Sequence, residues 1–250
     1  MPRNSKGRPT AERVTPMWSP RANLGASSPG DLESLPAHIL AMLPGDTAST
    51  WEVLAPLMPD SAYLVGGTGL TVHLQHRVSR DLDFFLEQPE DLDELWRAFQ
   101  RAGKVVASRR DDGTINCLFN GTKVQVIDAS TQRLISPTIR VAGMRVASVE
   151  DLMATKIKVI VDRGEMRDYF DLLRIEQQVG LQAEAGIVLA IQKYEPRDKE
   201  AFVFSVLTAL GGFDDVADDP DLQLGREEIE SYWVTRQLEV AQRLNSFGGG

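Results

Sequence analysis

The sequence has little cysteine and histidine, and it has no long apolar run. Cys117 is its only cysteine, three histidines are present, and charged residues interrupt every hydrophobic stretch. A single thiol allows no intramolecular disulfide and no cysteine-based zinc site, which favours a reducing compartment. The first residues are basic but no apolar stretch follows them, so no secretory signal is indicated. We therefore predict a cytoplasmic protein without a membrane span.

Positive charge is also in short supply. The 250 residues carry 27 lysines and arginines against 36 aspartates and glutamates, a net charge of −9. Residues 211–232 alone hold eight acidic residues against Arg226. This balance argues against a broad, non-specific nucleic-acid surface. A nucleic-acid substrate would have to meet a local basic patch.

The chain divides into three stretches of different character. Residues 1–30 are rich in Pro, Ser, Arg and Gly without an apolar period, which predicts a disordered leader. Residues 31–150 mix strand and helix patterns, and residues 151–250 are mostly helical. We predict an α+β fold, with a small mixed sheet whose helices lie on one face. A C-terminal helical bundle would follow and complete the active site.

Turn and cap signals mark the main elements. Asn120-Gly121 and Ala142-Gly143 predict two hairpins. Ser148-x-x-Asp151 resembles a capping box that opens a helix from Asp151 to Arg163. His76-Arg77 follows a short helix and is interpreted as a cation pair at its C-terminus.

A glycine turn offers a place for phosphate. The strand Ala62–Val65 leads into Gly66-Gly67-Thr68 and then a helix to about Gln75. Small residues between a strand and a helix let phosphate oxygens approach backbone N–H groups, and the Thr68 hydroxyl adds a donor. Such a turn taken alone is more often only a tight turn.

Two aspartates follow one short helix later. The strand Asp81–Leu86 alternates, so that Asp81 and Asp83 share one face. At about 3.3 Å of rise per residue they lie roughly 7 Å apart at the backbone, close enough to hold one ion or a pair. Mg²⁺, or Mn²⁺, takes one or two carboxylates plus phosphate oxygens. An isolated Asp-x-Asp is usually a solvated face, but behind the glycine turn it indicates a metal and nucleotide site.

At this point the sequence resembles the AbiEii/AbiGii-type nucleotidyltransferase toxins, which occur in bacterial toxin–antitoxin and abortive-infection systems. Two blocks between about residues 60 and 175 carry the resemblance. The first runs from Tyr63-Leu64-Val65-Gly66-Gly67-Thr68 to Arg80-Asp81-Leu82-Asp83-Phe84-Phe85. The second runs from Ser148-Val149-Glu150-Asp151-Leu152-Met153-Ala154-Thr155-Lys156 through Arg163-Gly164 to Arg167-Asp168-Tyr169-Phe170-Asp171-Leu172.

The resemblance implies a DNA-polymerase-β-like core that transfers nucleotides from an NTP to an acceptor. In some members the acceptor is the 3′ end of tRNA, and a cognate antitoxin protein is a possible partner. By matching position, Gly67 and Thr68 would hold the triphosphate. Asp81 and Asp83 would hold the metal, Lys156 would contact phosphates, and Asp168 would be the late acidic residue of the site.

Spacing supports part of this assignment. Lys156, Arg163 and Arg167 share a helical face if the helix continues past Gly164, and such a face would neutralise triphosphate charge. The equal alternative is a solvated basic face. Asp168 is assigned to the site, although an ion pair with an arginine of its own helix is also possible.

One position departs from the family pattern. Polymerase-like nucleotidyltransferases usually carry a third carboxylate on a neighbouring strand, where this chain has Gln125. Asp128 would lie on the opposite face unless a bulge intervenes. Either two carboxylates suffice, or Asp128 or Asp168 supplies the third, or activity is lost.

We conclude that the chain is a metal-dependent nucleotidyltransferase that uses an NTP and an RNA acceptor, possibly tRNA. A phosphatase of the Asp-x-Asp type is disfavoured, because Val78-Ser79-Arg80 is not the long apolar strand which that class needs. The alternative is a non-catalytic relative that binds a nucleotide or a partner protein, and Gln125 keeps it open.

Overall fold

Seven strands form one mixed sheet in a computed structural model that describes residues 34–111 and 113–247. The predicted leader at residues 1–30 lies outside the described part of the chain. The strands are β1 (Ala62–Val65), β2 (Leu82–Leu86), β3 (Val105–Asp111), β4 (Thr114–Phe119), β5 (Thr122–Asp128), β6 (Ile139–Val141) and β7 (Met144–Val146).

The strand order is β3-β4-β5-β2-β1-β7-β6. β2 pairs antiparallel with β1 and parallel with β5, and β1 pairs parallel with β7. The remaining neighbours are antiparallel. β1 and β2 therefore lie inside the sheet, which is why apolar side chains on both faces of these strands are buried.

Nine helices accompany the sheet in the described residues. They are α1 (Ala37–Leu40), α2 (Gly45–Leu54), α3 (Gly66–Leu74), α4 (Leu92–Ala102), α5 (Val149–Asp162), α6 (Met166–Val179), α7 (Ala183–Tyr194), α8 (Lys199–Gly211) and α9 (Arg226–Phe247). Short 3₁₀ turns at Ala55–Leu57 and Pro89–Asp91 extend α2 and precede α4. Among these helices, none combines the length and apolarity needed to cross a bilayer.

Helices cover both faces of the sheet, so the expectation of helices on one face was wrong. Leu64 and Phe84 point to the face packed by α2 and α4. Tyr63 and Phe85 point to the opposite face, which α5 and α6 cover. Alternation along β1 and β2 supplies both cores at once. The predicted α+β class, with a mixed sheet, flanking helices and a helical C-terminal part, is confirmed.

The two hairpins form where the turn residues predicted them. Asn120 and Gly121 both have positive φ, of 49° and 96°, between β4 and β5. Ala142 and Gly143 have φ of 43° and 83° between β6 and β7. Positive φ at both central residues matches the twist of the flanking strands.

The helix that carries Lys156 begins as its cap predicted but ends earlier than expected. Ser148 Oγ accepts a hydrogen bond from the Asp151 amide at 3.0 Å. α5 stops at Asp162, and Arg163 is extended with φ of −156°. A Cβ on Gly164 would lie 2.8 Å from a Val216 methyl carbon. The chain turns at this tight contact and α6 starts anew at Met166, so the condition for a shared face of Lys156, Arg163 and Arg167, a helix that continues past Gly164, is not met.

Candidate nucleotide and metal site

Asp83 lies beside the glycine turn. It sits on β2, in register with Val65 at the end of β1, the residue before the turn. Gly66 begins α3 with φ of +66°, a conformation that glycine adopts without cost. A Cβ on Gly66 would collide with the Asp83 carboxylate. The carboxylate therefore fills the space that the glycine leaves, directly at the N-terminus of α3.

The second glycine of the turn accommodates a different side chain. A Cβ on Gly67 would collide with the guanidinium of Arg77 and lie 3.2 Å from Ser79 Oγ. The expectation was that the turn leaves room for phosphate oxygens. The structure shows that the chain's own Asp83 and Arg77 occupy the space that a side chain on Gly66 or Gly67 would need. The first N–H groups of α3 still point out at this end of the helix.

Thr68 connects the turn to the loop before β2. Its side chain is buried, its hydroxyl lies 2.8 Å from that of Ser79, and it donates to the Asp81 carbonyl. The hydroxyl therefore already has protein partners. These bonds hold Asp81, which directly precedes β2, next to the helix start.

The two predicted metal carboxylates influence one another. Burial and the neighbouring charge of Asp81 raise the pKa of Asp83, against the lowering effect of Lys156, Lys123 and Arg167. Lys123 Nζ lies 3.8 Å from Asp81 Oδ2. Two carboxylates held this close favour a bound cation, because it relieves both the burial cost and the repulsion.

Lys156 forms the centre of a buried ion-pair network. Its Nζ lies 2.6 Å from Asp168 Oδ1 and 2.7 Å from Asp171 Oδ2. Asp171 also accepts hydrogen bonds from Arg77 Nε and an Nη at 2.7 and 2.9 Å, and His76 Nε2 lies 2.7 Å from it. His76 and Arg77 thus bind a carboxylate of α6, and their interpretation as partners of the helix dipole was wrong.

Electrostatics in this network follow from burial and pairing. Burial by itself would lower the pKa of Lys156, but Asp168 and Asp171 raise it above the usual range. Burial by itself would raise the pKa of Asp171, but Lys156 and Arg77 hold it well below the usual range. Burial lowers the pKa of His76. Lys156 is therefore a fixed cation at neutral pH.

One of the two carboxylate oxygens of Asp168 has no hydrogen-bond partner in the described part of the chain. Its side chain is 5% exposed and its Oδ1 accepts from Lys156, whereas Oδ2 is buried with no hydrogen-bond partner in the structure. Buried carboxylate oxygens are rarely left unpaired. Asp168 lines the same cleft as Asp81 and Asp83.

Arg163 and Arg167 reach the cleft from different elements. Arg163 follows α5 and Arg167 lies in the first turn of α6, and both form ion pairs with Glu165. The continuous helical face proposed for them with Lys156 does not exist. The break at Gly164 still brings all three cations to the cleft wall.

The cleft encloses about 970 Å³. It collects all the predicted site residues except the buried Thr68. It also contains residues that the sequence did not single out, among them Arg77, Arg80, Asn116, Lys123, Asp219 and Asp221. Arg77 had a usable signal, since it lies between the glycine turn and the Asp-x-Asp pair. Nothing in the sequence pointed to Asp219 and Asp221, because a loop brings them to the cleft from far along the chain.

Strand register shows where Gln125 lies relative to the Asp-x-Asp pair. Gln125 on β5 pairs directly with Asp83 and lines the cleft. Asp128 pairs with Leu86, three residues further along, and the β2–β5 register is unbroken between them. Asp128 therefore faces the other side of the sheet and cannot supply a ligand here. Of the two acids that the sequence offered as a third carboxylate, only Asp168 lines the cleft.

A family model described as "Nucleotidyl transferase AbiEii toxin, Type IV TA system" matches residues 54–249. The chain belongs to the AbiEii nucleotidyltransferase toxin family. An uncharacterised protein of Aquifex aeolicus is 28% identical over 174 residues, which cover 68% of this chain and 80% of that protein.

Among solved structures, one supports the same fold. A Helicobacter pylori protein, described as a candidate nucleotidyltransferase, superposes with a TM-score of 0.50 and 18% identity. It covers 79% of this chain and 94% of its own. MenT4, a nucleotidyltransferase toxin of Mycobacterium tuberculosis, has a TM-score of 0.49 and 16% identity. The match covers 81% of this chain and 86% of MenT4.

The residues of this AbiEii-family chain fit a divalent cation. Within residues 34–111 and 113–247, no cluster of three or more His, Cys, Asp or Glu side chains forms a complete metal cage. Asp81 and Asp83 instead form a two-carboxylate set, in which burial and the charge of Asp81 raise the pKa of Asp83. Magnesium commonly binds through one or two carboxylates and completes its shell with water and substrate phosphates. The donor set suits a metal that arrives with a nucleotide.

An acidic strap, residues 218–223, borders the cleft of this AbiEii-family chain. Its Asp221 lies 3.2 Å from Arg80 in an exposed ion pair, and Asp219 lines the cleft. The base of the strap is fixed, since Arg226 donates to the carbonyls of Val216 and Phe213 at 2.6 and 2.8 Å. An exposed pair of this kind contributes little stability.

Neutralising the strap should tighten triphosphate binding. We expect the double variant Asp219→Asn, Asp221→Asn to bind inorganic triphosphate with Mg²⁺ about 3- to 10-fold more tightly at low salt, because like charges at the cleft are removed. Titration calorimetry at 50 mM and 500 mM NaCl measures this. The control Asp214→Asn, Asp215→Asn changes the same net charge on exposed residues outside the cleft. Equal tightening by both doubles would contradict a local effect.

Proposed function

We propose that the chain is an active, metal-dependent nucleotidyltransferase that transfers NMP from an NTP to an RNA hydroxyl, with tRNA 3′ ends as candidate acceptors. One observation carries the proposal: the Asp83 carboxylate lies against Gly66 at the N-terminus of α3. A cation held by Asp81 and Asp83 would therefore face a triphosphate bound at the helix end.

Each residue has a task in this mechanism. The N–H groups at Gly66 and Gly67 and the cations Arg163 and Arg167 bind the triphosphate. Bound Mg²⁺ or Mn²⁺ would supply charge neutralisation on the transferring phosphate. Lys156 keeps a fixed positive charge in the wall of the cleft.

The acceptor hydroxyl attacks the α-phosphorus, the bond to the bridging oxygen of the β-phosphate breaks, and pyrophosphate leaves. Asp168 Oδ2 accepts the hydroxyl proton. Its lack of a protein partner supports this role, and it takes the place of the carboxylate that Gln125 replaces.

The charge distribution supports a polyanionic acceptor. Arg80, Lys123 and Arg163 stand exposed at the cleft of a chain whose net charge is −9. They form the local basic patch that a nucleic-acid substrate requires. We place the activity in the cytoplasm, where NTPs and RNA are available, and take a cognate antitoxin as its regulator.

A transfer assay tests the proposal. The purified full chain is incubated with Mg²⁺ or Mn²⁺, each labelled NTP and total RNA, and the labelled product is treated with ribonuclease or protease. We expect ribonuclease-sensitive label with the wild type and none with Asp81→Ala. Asp128→Ala, which faces away from the cleft, should retain activity.

Two other outcomes are informative. Tight NTP binding without transfer to any acceptor would show a non-catalytic relative, the alternative that Gln125 beside Asp83 favours. Protease-sensitive label would replace RNA by protein as the acceptor.

A further inference from the structure

Arg77 is one of the cleft cations to which the resemblance to the family gives no role. Its side chain is 12% exposed, and a Cβ on Gly67 would collide with its guanidinium. The guanidinium therefore lies against the first turn of α3. This helix end is the place where backbone N–H groups favour an anion.

The backbone of Arg77 is held on both sides. The Thr71 hydroxyl donates to the Arg77 carbonyl at 3.0 Å, and the hydroxyls of Thr68 and Ser79 lie 2.8 Å apart. The loop between α3 and β2 is thereby tied to the helix that it follows. The position of Arg77 at the glycine turn is set before any ligand binds.

The guanidinium is oriented by Asp171. Asp171 lies in α6, is fully buried, and accepts from Arg77 Nε and one Nη. The other Nη donates to the Val78 carbonyl at 3.2 Å. An arginine has five N–H donors, so these three bonds leave two for a ligand in the cleft. A planar fork of this kind matches phosphate oxygens.

We propose that Arg77, placed over Gly67 and oriented by Asp171, is a phosphate-binding residue of the nucleotide site, and that Asp171 is its positioning residue. The proposal rests on the proposed function. It explains why the second residue of the turn is a glycine: any side chain there would displace the guanidinium. The competing explanation is a purely structural ion pair between α6 and the loop that follows α3.

Triphosphate binding tests the assignment without requiring transfer. Wild type, Arg77→Lys, Gly67→Ala and the double variant are titrated with inorganic triphosphate and Mg²⁺ by calorimetry, and Tm is measured for each. We expect each single variant to bind about 10- to 100-fold more weakly. Since Gly67→Ala acts through Arg77, the double variant should bind no more weakly than Arg77→Lys alone.

Matched controls separate binding from folding. Arg101→Lys makes the same change on a helix away from the cleft, and Gly45→Ala adds a methyl group where no atom lies within 4 Å. Gly67→Ala displaces the guanidinium but keeps both Arg77 and Asp171 in the sequence, so it remains informative if Arg77→Lys fails to fold.

The contrary results are distinct. Wild-type triphosphate affinity in Arg77→Lys and Gly67→Ala, with or without a lower Tm, overturns the assignment. Additive losses in the double variant overturn the dependence on Gly67. A wild type that does not bind triphosphate overturns the assignment together with the site. Triphosphate binding that depends on Arg77, without nucleotide transfer, supports the assignment and rejects only the proposed activity.

Discussion

Asp83→Asn should raise Tm at pH 7 without divalent cations, while it abolishes activity. The raised pKa of Asp83 means that the folded state holds this carboxylate at a cost, mainly through burial and then through Asp81. The amide removes the charge but keeps the shape. Loss of the metal site should lower the transfer rate by about 10³-fold, equivalent to several kcal/mol of transition-state stabilisation.

The sign of the pH dependence follows from the direction of the shift. A carboxyl whose folded-state pKa lies above its ordinary value of 3.8 destabilises the fold at pH values above that raised pKa. As pH falls towards 3.8, the group protonates first in the folded state and the cost disappears. The Tm advantage of Asp83→Asn should therefore shrink between neutral pH and about pH 4.

Thermal unfolding with and without Mg²⁺ or Mn²⁺ measures both effects. Divalent cations should raise the Tm of the wild type by binding only the folded state, and should leave Asp83→Asn unchanged. Asp128→Asn is the matched control, since it makes the same change on the opposite face of the sheet. An equal metal-induced rise in Asp83→Asn and wild type would sink the assignment of Asp83 as a ligand.

Lys156→Met should lower stability by about 3–5 kcal/mol, because it leaves the buried Asp168 without its cation. Asp171 keeps Arg77 and His76, so the loss centres on Asp168. Adding Asp168→Asn to Lys156→Met should restore most of the lost stability, since the unpaired charge is gone. Urea unfolding of the single and double variants measures the free energy of unfolding.

A neighbouring lysine provides the comparison. Lys158 lies on the same helix and pairs with Asp162 at the surface. Lys158→Met should change stability by no more than about 0.5 kcal/mol. A double variant as unstable as Lys156→Met would show that the buried charge is not the source of the loss. Lys156→Met should also bind inorganic triphosphate more weakly at a temperature where it stays folded.

Local patterns were sufficient to predict several of the elements. The alternation around Asp83, the Asn120-Gly121 turn and the Ser148 cap each act over a few residues, and each formed as expected. Gln125 was also placed correctly, because strand periodicity and register transmit position along β5.

Other features could not be predicted because they depend on distant partners. Lys156 looked like a residue of a solvated or phosphate-facing stripe, yet it is buried between Asp168 and Asp171 after the helix breaks at Gly164. At that break Gly164 lies close to Val216, more than fifty residues later in the chain.

The sequence by itself determined the α+β class, the glycine turn beside an Asp-x-Asp pair and the absence of a third acid at Gln125. Periodicity and turn chemistry depend on residues that are close in sequence, so distant contacts do not alter them. Only the tertiary structure decided that Asp83 fills the space over Gly66, that Arg77 covers Gly67, and that an acidic strap borders the cleft. These facts arise from packing between segments far apart in the chain, where burial and charge pairing outweigh local preference.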